Sequence, residues 1–187
     1  MGFTRAELES FRDAAVPDLI GPGCRLLFVG INPGLWTAAT GAHFARPGNR
    51  FYPALHRAGI VPRRIDPSAG MSDADRDLLL RRGIGITNLA PRATARADEL
   101  TASELREGPE RLRRVVRSTR PAVVAVAGVT AYRTAFGLRP ASTGRQPNDL
   151  EGAALWVVPN PSGLNAHETV DTLAEWYRLA AVDAGVL

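Results

Sequence analysis

The sequence contains no lysine; all 23 of its basic side chains are arginines. A Schiff-base mechanism needs an amine nucleophile. Only the α-amino group of Met1, or of Gly2 if Met1 is removed, supplies one, so lysine-based covalent chemistry is excluded. The arginine bias goes with abundant Ala, Gly and Pro, as a GC-rich coding sequence would give, although arginine also suits phosphate contacts. A formal net charge of +4 predicts a local basic face at most.

Cysteine is almost as scarce. Cys24 stands alone, which excludes a disulfide framework, a Cys-rich zinc site and an iron–sulfur cluster held by this chain. Cys24 opens an apolar run and reads as a small core residue. The histidines, His43, His56 and His167, are scattered without metal-binding spacing. Neither a metal nor a cofactor is expected. No apolar run reaches the ~20 residues that a membrane helix needs. The opening MGFTRAELESFRDAAVPDL carries acids and lacks a continuous apolar core, so it does not read as a secretory signal. A cytoplasmic location without membrane contact is the default expectation. The G-x-G-x-x-G and G-x-x-x-x-G-K-[ST] phosphate-binding patterns are also missing.

What is present fits one α/β domain spanning 1–187, a length that supports a real core. Thr4-Arg5-Ala6-Glu7 reads as a capping box opening a short helix with Leu8 and Phe11 on one face. Arg25 to Val29 is a continuous apolar run, as in a buried parallel strand. A polar, Gly-rich stretch follows to Gly48, and Asn49 is placed to cap a helix carrying Phe51, Leu55 and Ala58. Further strands are expected at Ile84–Asn88, 122–127 and Ala154–Val158. A long Arg-rich amphipathic helix is expected over 103–118, a short one through Ala131 and Phe136, and a last one over 168–184 with Leu173, Trp176, Tyr177 and Ala180 inward. Pro140 to Asp149 reads as a polar loop. Strands alternating with helices predict a three-layer, doubly wound sandwich with a mainly parallel, four-stranded central sheet. Loops at the carboxyl ends of such strands build the site. Asn32, Asn88, Gly128 and Asn160 fall there.

The first strand exits into Gly30-Ile31-Asn32-Pro33-Gly34. Asn32 sits just past the strand, where its amide can accept from a water and donate to a base edge. Taken alone, the loop reads rather as a turn in which Asn32 satisfies backbone groups. The last strand exits into Asn160-Pro161-Ser162-Gly163-Leu164-Asn165. Leu164 is an apolar residue in an otherwise polar turn: it either folds back on the core or serves as a wedge entering a base stack. Between these lies His43-Phe44 in a polar loop. Phe44 is either an anchor to the body or a face on which an extruded base stacks.

GINPG, HFARPGNRF, GITNLAPRAT and PNPSGL, in this order, resemble the mismatch-specific uracil/thymine DNA glycosylases, the branch of the uracil-DNA glycosylase superfamily that contains bacterial Mug and eukaryotic thymine-DNA glycosylase. The resemblance runs from about Pro17 to the last helix. It implies the superfamily fold and a set of roles. Asn32 would position the attacking water, and Asn160 would help hold the base or sugar, as the catalytic pair. Ile31 would line the base pocket, with Phe44 stacked on the base and His43 beside it. His43 matches a histidine of the thymine-DNA glycosylases that is absent from Mug. Leu164 would fill the gap left by the extruded nucleotide, and backbone near Gly163 and Asn165 would face the widowed guanine. Thr37 stands where the branch places a residue beside base C5, and its bulk implies uracil over thymine. Both motif positions that hold aspartate and histidine in the family-1 uracil enzymes are asparagine here, implying a slower enzyme.

The expected function is therefore a monofunctional glycosylase acting on G·U mispairs in double-stranded DNA, as a monomer. Without lysine, the product is an abasic site in an intact strand. A nucleosidase for free nucleosides and a non-catalytic mismatch-binding protein are the rival readings. Arg46, Arg50, Arg92, Arg96 and Arg145 fall in expected loops and are candidates for phosphate contacts. Arg106, Arg111, Arg113, Arg114 and Arg117 read as the solvated face of the long helix.

Overall fold

The computed structural model describes residues 2–187; Met1, and with it one of the two amine candidates, lies outside them. Strand β1, Leu26–Gly30, is buried at every position. Such a run satisfies its backbone only by pairing on both sides, and it does. β1 lies between β2, Ile84–Asn88, and β3, Val123–Ala127, parallel to both. β3 pairs in turn with β5, Ala154–Val158, also parallel. A two-residue strand β4, Gly144–Arg145, runs antiparallel to β5, so the sheet order is β2-β1-β3-β5-β4.

The sheet thus has five strands, not four. The extra one is built from a polar loop with no apolar alternation of its own; pairing with Trp156 and Val157 makes it a strand. Two further helices, α2 over Leu35–Thr40 and α4 over Asp73–Arg81, were also not anticipated. α2 is six residues framed by Gly34 and Gly41. α4 starts from a Ser72 side chain that accepts from Asp75 N–H, and buries only Leu79. Neither shows a long apolar period. α1, Arg5–Glu9, has the expected capping box at Thr4 but stops before Phe11. In α3, Phe51–Arg57, the N-cap position is Arg50, and the Asn49 side chain accepts from Phe51 N–H.

The long helix α5 spans Ala102–Thr119, with a capping box between Thr101 and Glu104. It contains Gly108 and Pro109, both buried. The N–H missing at Pro109 costs the helix a bond, which tertiary packing outweighs. The short α6, Val129–Phe136, and the last helix α7, Val170–Asp183, complete the set.

Alternation along the strands divides the core. Leu26 and Phe28 pack with α3, α4 and α7, whereas Leu27 and Val29 pack with α5 and α6. Phe28 meets Phe51 edge-on, with ring centroids 5.1 Å apart. Each such buried side chain contributes about 1.5–3 kcal/mol. The chain leaves β1 over one face to reach β2 and returns over the other face to β3. Helices on both faces make the expected three layers, and the crossover reverses between β1 and β3, where sheets of this kind bind ligands. The outer edge of β2 is covered by the segment before β1: Leu19 and Ile86 exchange backbone N–H···O bonds of 2.9 and 2.7 Å. Among the described residues no helix is long and apolar enough to cross a membrane.

Candidate active site

The loops after β1 and β2 continue the pairing of their strands. Leu89 and Ala90 donate to the Gly30 and Ile31 carbonyls at 2.9 Å, Thr94 N–H donates to Pro33 O at 3.1 Å, and Leu35 N–H to Thr94 O at 3.2 Å. This zipper places Asn32 against residues 92–94. Its Nδ2 lies 2.8 Å from the Arg92 carbonyl, 2.7 Å from Thr94 Oγ1 and 3.1 Å from the Pro33 carbonyl. The carbonyls only accept, so the amide nitrogen must face them. Oδ1 is left as the free end of Asn32, an acceptor, beside the cleft that Asn32 lines.

The loop after β5 is organised in the opposite sense. Asn160 Oδ1 accepts from Ser162 N–H at 3.0 Å, and Asn165 Nδ2 donates to Asn160 O at 3.1 Å. The free end of the Asn160 amide is therefore a donor. The tip of this loop carries Leu164, 69% exposed. Gly163 packs so tightly on the neighbouring loop that a Cβ there would come within 2.8 Å of Gly48 O. Arg50 clamps the turn from below. Its guanidinium donates to the carbonyls of Asn165 at 3.0 Å, Gly163 at 3.3 Å and Glu168.

Phe44 is half-buried with φ 55°, a left-handed backbone uncommon for an aromatic residue. It stacks on Phe51, centroids 4.1 Å apart, and approaches Gly30, where a Cβ would stand 3.4 Å from the ring. His43 is 4% exposed. Its Nε2 lies 2.9 Å from Pro17 O and its Nδ1 3.3 Å from Asn88 Nδ2. Burial pushes its pKa down, against smaller upward effects from the Pro17 carbonyl and Asp18. Both ring nitrogens are thus engaged by protein groups.

These parts surround a cleft of about 1020 Å³ at the carboxyl ends of β1, β2, β3 and β5. Ile31, Asn32, Thr37, His43, Phe44, Asn160, Leu164 and Asn165 all line it. Gly163 instead lines a neighbouring cavity of about 270 Å³ with Arg46 and Arg50. Thr37 is buried in α2 at the cleft wall. Asn88, expected at the strand ends but without a role, and Thr94, not expected there, also belong to the site. Asn88 is buried at the end of β2 and lines the cleft beside His43. A polar residue closing a buried strand, as Asn32 and Asn160 nearly do, was the available signal.

The arginines sort differently from the expectation. Arg92 is paired with Glu104 and Asp13 at 2.6 and 2.9 Å, Arg96 with Asp98, and Arg145 with Asp149 and Asp183 at 3.2 and 3.4 Å. The Arg92 guanidinium, helped by Thr101, holds the Glu104 carboxyl at about 2. Arg111 is not merely solvated: it donates to the Asn88 carbonyl at 2.5 Å and lies 3.4 Å from Asp18. Arg46 is exposed, lines both cavities and has no ion-pair partner among the described residues. No group of three or more His, Cys, Asp or Glu side chains suited to a metal converges among the described residues.

The fold is shared with the NMR solution structure of a candidate uracil DNA glycosylase from Methanosarcina acetivorans, with a TM-score of 0.60 over 92% of this chain and 96% of that one at 16% identity. The sequence profile of the uracil DNA glycosylase superfamily matches residues 17–183, from the strap that covers β2 to the end of α7. A cleft built from asparagines at the strand ends of this sheet, matched along nearly its whole length, makes the chain a member of the uracil DNA glycosylase superfamily.

Proposed function

We propose that the protein is a monofunctional DNA glycosylase of the mismatch-specific uracil/thymine branch, excising uracil from G·U pairs in duplex DNA. The observation that carries this reading is the anchoring of Asn32. Three acceptors hold its Nδ2, so its Oδ1 is kept for a water beside the cleft. In the proposed reaction the uracil is extruded into the cleft and lies against Phe44, with Asn88 at its edge. The C1′–N1 bond breaks, and the base leaves with the bonding electrons as an anion. Water held by Asn32 adds to C1′ and its proton goes to the uracil anion, giving free uracil and an abasic site. Donors such as the free amide end of Asn160 stabilise the departing charge. Leu164 occupies the gap in the stack, and flipping, costing a few kcal/mol, is cheapest at a mispair. Thr37 at the cleft wall favours uracil over thymine. With no lysine in the chain, strand cleavage through a lysine Schiff base does not follow. The same reading takes the chain as one domain acting as a monomer.

An end-labelled G·U duplex incubated with the protein and then treated with alkali tests this. Scission after alkali alone is expected, and its absence sinks the enzyme reading. Leu164→Ala should slow duplex excision and leave single-stranded substrate unaffected. Cleavage of free deoxyuridine with no effect of Leu164→Ala on the duplex would replace it with the nucleosidase reading.

A further inference from the structure

Residues 2–14 lie ahead of the stretch shared with the superfamily, yet they build one wall of the cleft. Arg5, Leu8 and Glu9 of α1 line it beside Arg96 and Asp98. The segment is fastened at both ends. At its start, Phe3 meets Trp36 of α2 edge-on, with ring centroids 5.2 Å apart, and the Trp36 indole donates to the Ser68 carbonyl at 2.9 Å. Such an aromatic pair contributes about 0.5–1.5 kcal/mol beyond its burial. At its end, Asp13 N–H donates to Ala93 O at 2.9 Å and Ala93 N–H donates to Ala14 O at 3.0 Å. Arg12 pairs with Glu99 at 2.5 Å, and the Asp13 carboxylate with Arg92 at 2.9 Å. Ala93 stands between the Arg92 carbonyl and the Thr94 hydroxyl that hold Asn32. The root of the segment therefore braces the anchor of Asn32.

The charges around the cleft cancel unevenly. Glu9 is taken by Arg12 at 2.9 Å, and Asp98 by Arg96. The Glu168 carboxylate accepts from the Thr172 hydroxyl at 2.7 Å. Two cations are left over. Arg5 and Arg46 line the cleft, are exposed, and have no ion-pair partner among the described residues. Arg46 belongs to the loop packed on the Leu164 turn. Arg5 belongs to α1, whose first turn is closed by the Thr4–Glu7 capping box.

We propose that residues 2–14 are a DNA-contacting arm, in which Arg5 takes a backbone phosphate of the duplex at the mouth of the cleft. This rests on duplex DNA being the substrate, as in the reading above. A guanidinium matches a phosphate with two parallel hydrogen bonds and is charged at every working pH. The arm is folded before DNA arrives, so contact immobilises one side chain and not a loose tail. Because the same arm grips Ala93, a strand seated on Arg5 is held in register with Asn32. A free nucleoside, with no phosphate, would gain nothing from Arg5.

Two measurements on the full chain test the proposal, both with a G·U duplex in which 2′-fluorination of the uridine blocks excision. The first is binding at several salt concentrations. Arg5→Gln should weaken binding about fivefold, the scale of one hydrogen bond, and reduce the salt slope by about one. Arg5→Glu should weaken it further, although glutamate suits the first turn of a helix. Arg106→Gln is the control, since Arg106 is exposed and without an ion-pair partner among the described residues but does not line the cleft; its slope should stay that of the wild type. The second measurement replaces single phosphates with uncharged methylphosphonates. One linkage is expected at which the replacement weakens wild-type binding and leaves Arg5→Gln unaffected. Unchanged affinity and slope in both Arg5 variants, an equal change in Arg106→Gln, or additive losses at every linkage overturns the arm. Binding through Arg5 without excision of unmodified uracil sinks the glycosylase reading and leaves the arm standing. Excision of uracil with Arg5→Gln binding like the wild type does the reverse.

Discussion

Asn32 Nδ2 donates to Thr94 Oγ1 at 2.7 Å across 62 residues of sequence, and the Thr94 hydroxyl in turn donates a hydrogen bond to the Arg96 carbonyl at 2.7 Å. The hydroxyl is therefore committed as an acceptor for Asn32. Thr94→Val keeps the shape and removes that acceptor, leaving the two carbonyls. One such bond is worth about 1 kcal/mol. We expect kcat on a G·U duplex to fall about 5–10-fold with KM within a factor of two. Asn32→Ala should reduce single-turnover rate by about 10³-fold, the scale of a positioned proton acceptor, while duplex binding persists. Equal losses in binding and rate would assign Asn32 a structural role.

Arg50 holds the Leu164 turn through backbone carbonyls alone. Arg50→Met keeps the aliphatic stem and leaves those carbonyls without their donor. Leaving such groups unpaired costs about 1–3 kcal/mol. The melting temperature should drop by several degrees. Excision from duplex should fall more than excision from single strands, because the wedge matters only in the stack. A variant with unchanged stability and uniformly weaker DNA binding would make Arg50 a phosphate contact instead.

Arg46 stands at the rim of both cavities with no ion-pair partner among the described residues, unlike Arg92, Arg96 and Arg145. Phosphate contacts release counterions and give binding its salt dependence. Arg46→Ala should weaken binding to all duplex sequences alike and reduce the salt slope by about one. The same change at Arg145 should leave the slope unaltered. Titrations at several salt concentrations distinguish the two.

His43 links stability to pH. Its pKa in the fold lies below the ordinary 6.5, chiefly because it is buried. The unfolded chain then takes up the proton first, so stability is fully present above about pH 6.5 and declines as the pH falls from there towards the folded value. Asp18 opposes this by favouring the cation, whereas Arg111 and Arg76 reinforce it; Tyr52 faces the His43 carbonyl and stays protonated over this range. Melting temperatures at pH 7.0 and 5.5 should differ more for wild-type protein than for His43→Asn. A larger pH effect in the variant would contradict the assignment.

Much of this was legible in the residues. β1, β3 and β5 are continuous apolar runs, the usual look of a parallel strand covered on both faces, whereas β2 ends in the polar Thr87 and Asn88. Asn32 and Asn160 were visible because they follow such runs directly. β4 was not, since its two residues become a strand only through Trp156 and Val157. α2 and α4 escaped because short helices that bury one or two side chains leave little period to read. Arg111 looked like its solvated neighbours on α5; only the approach of the Asn88 carbonyl sets it apart. Asn88 and His43 are 45 residues apart, and their pairing is a product of topology that local pattern does not encode.

The strap at Leu19 has a bearing on how copies of the chain behave towards one another. β2 is the outermost parallel strand, and an open edge there would template pairing with a second molecule. The residues that close it precede β1, so during synthesis the cover leaves the ribosome some 65 residues ahead of the strand it protects, judging from the Leu19–Ile86 pairing. When β2 forms, its partner is already in place, and the interval in which a bare edge meets neighbouring nascent chains is short.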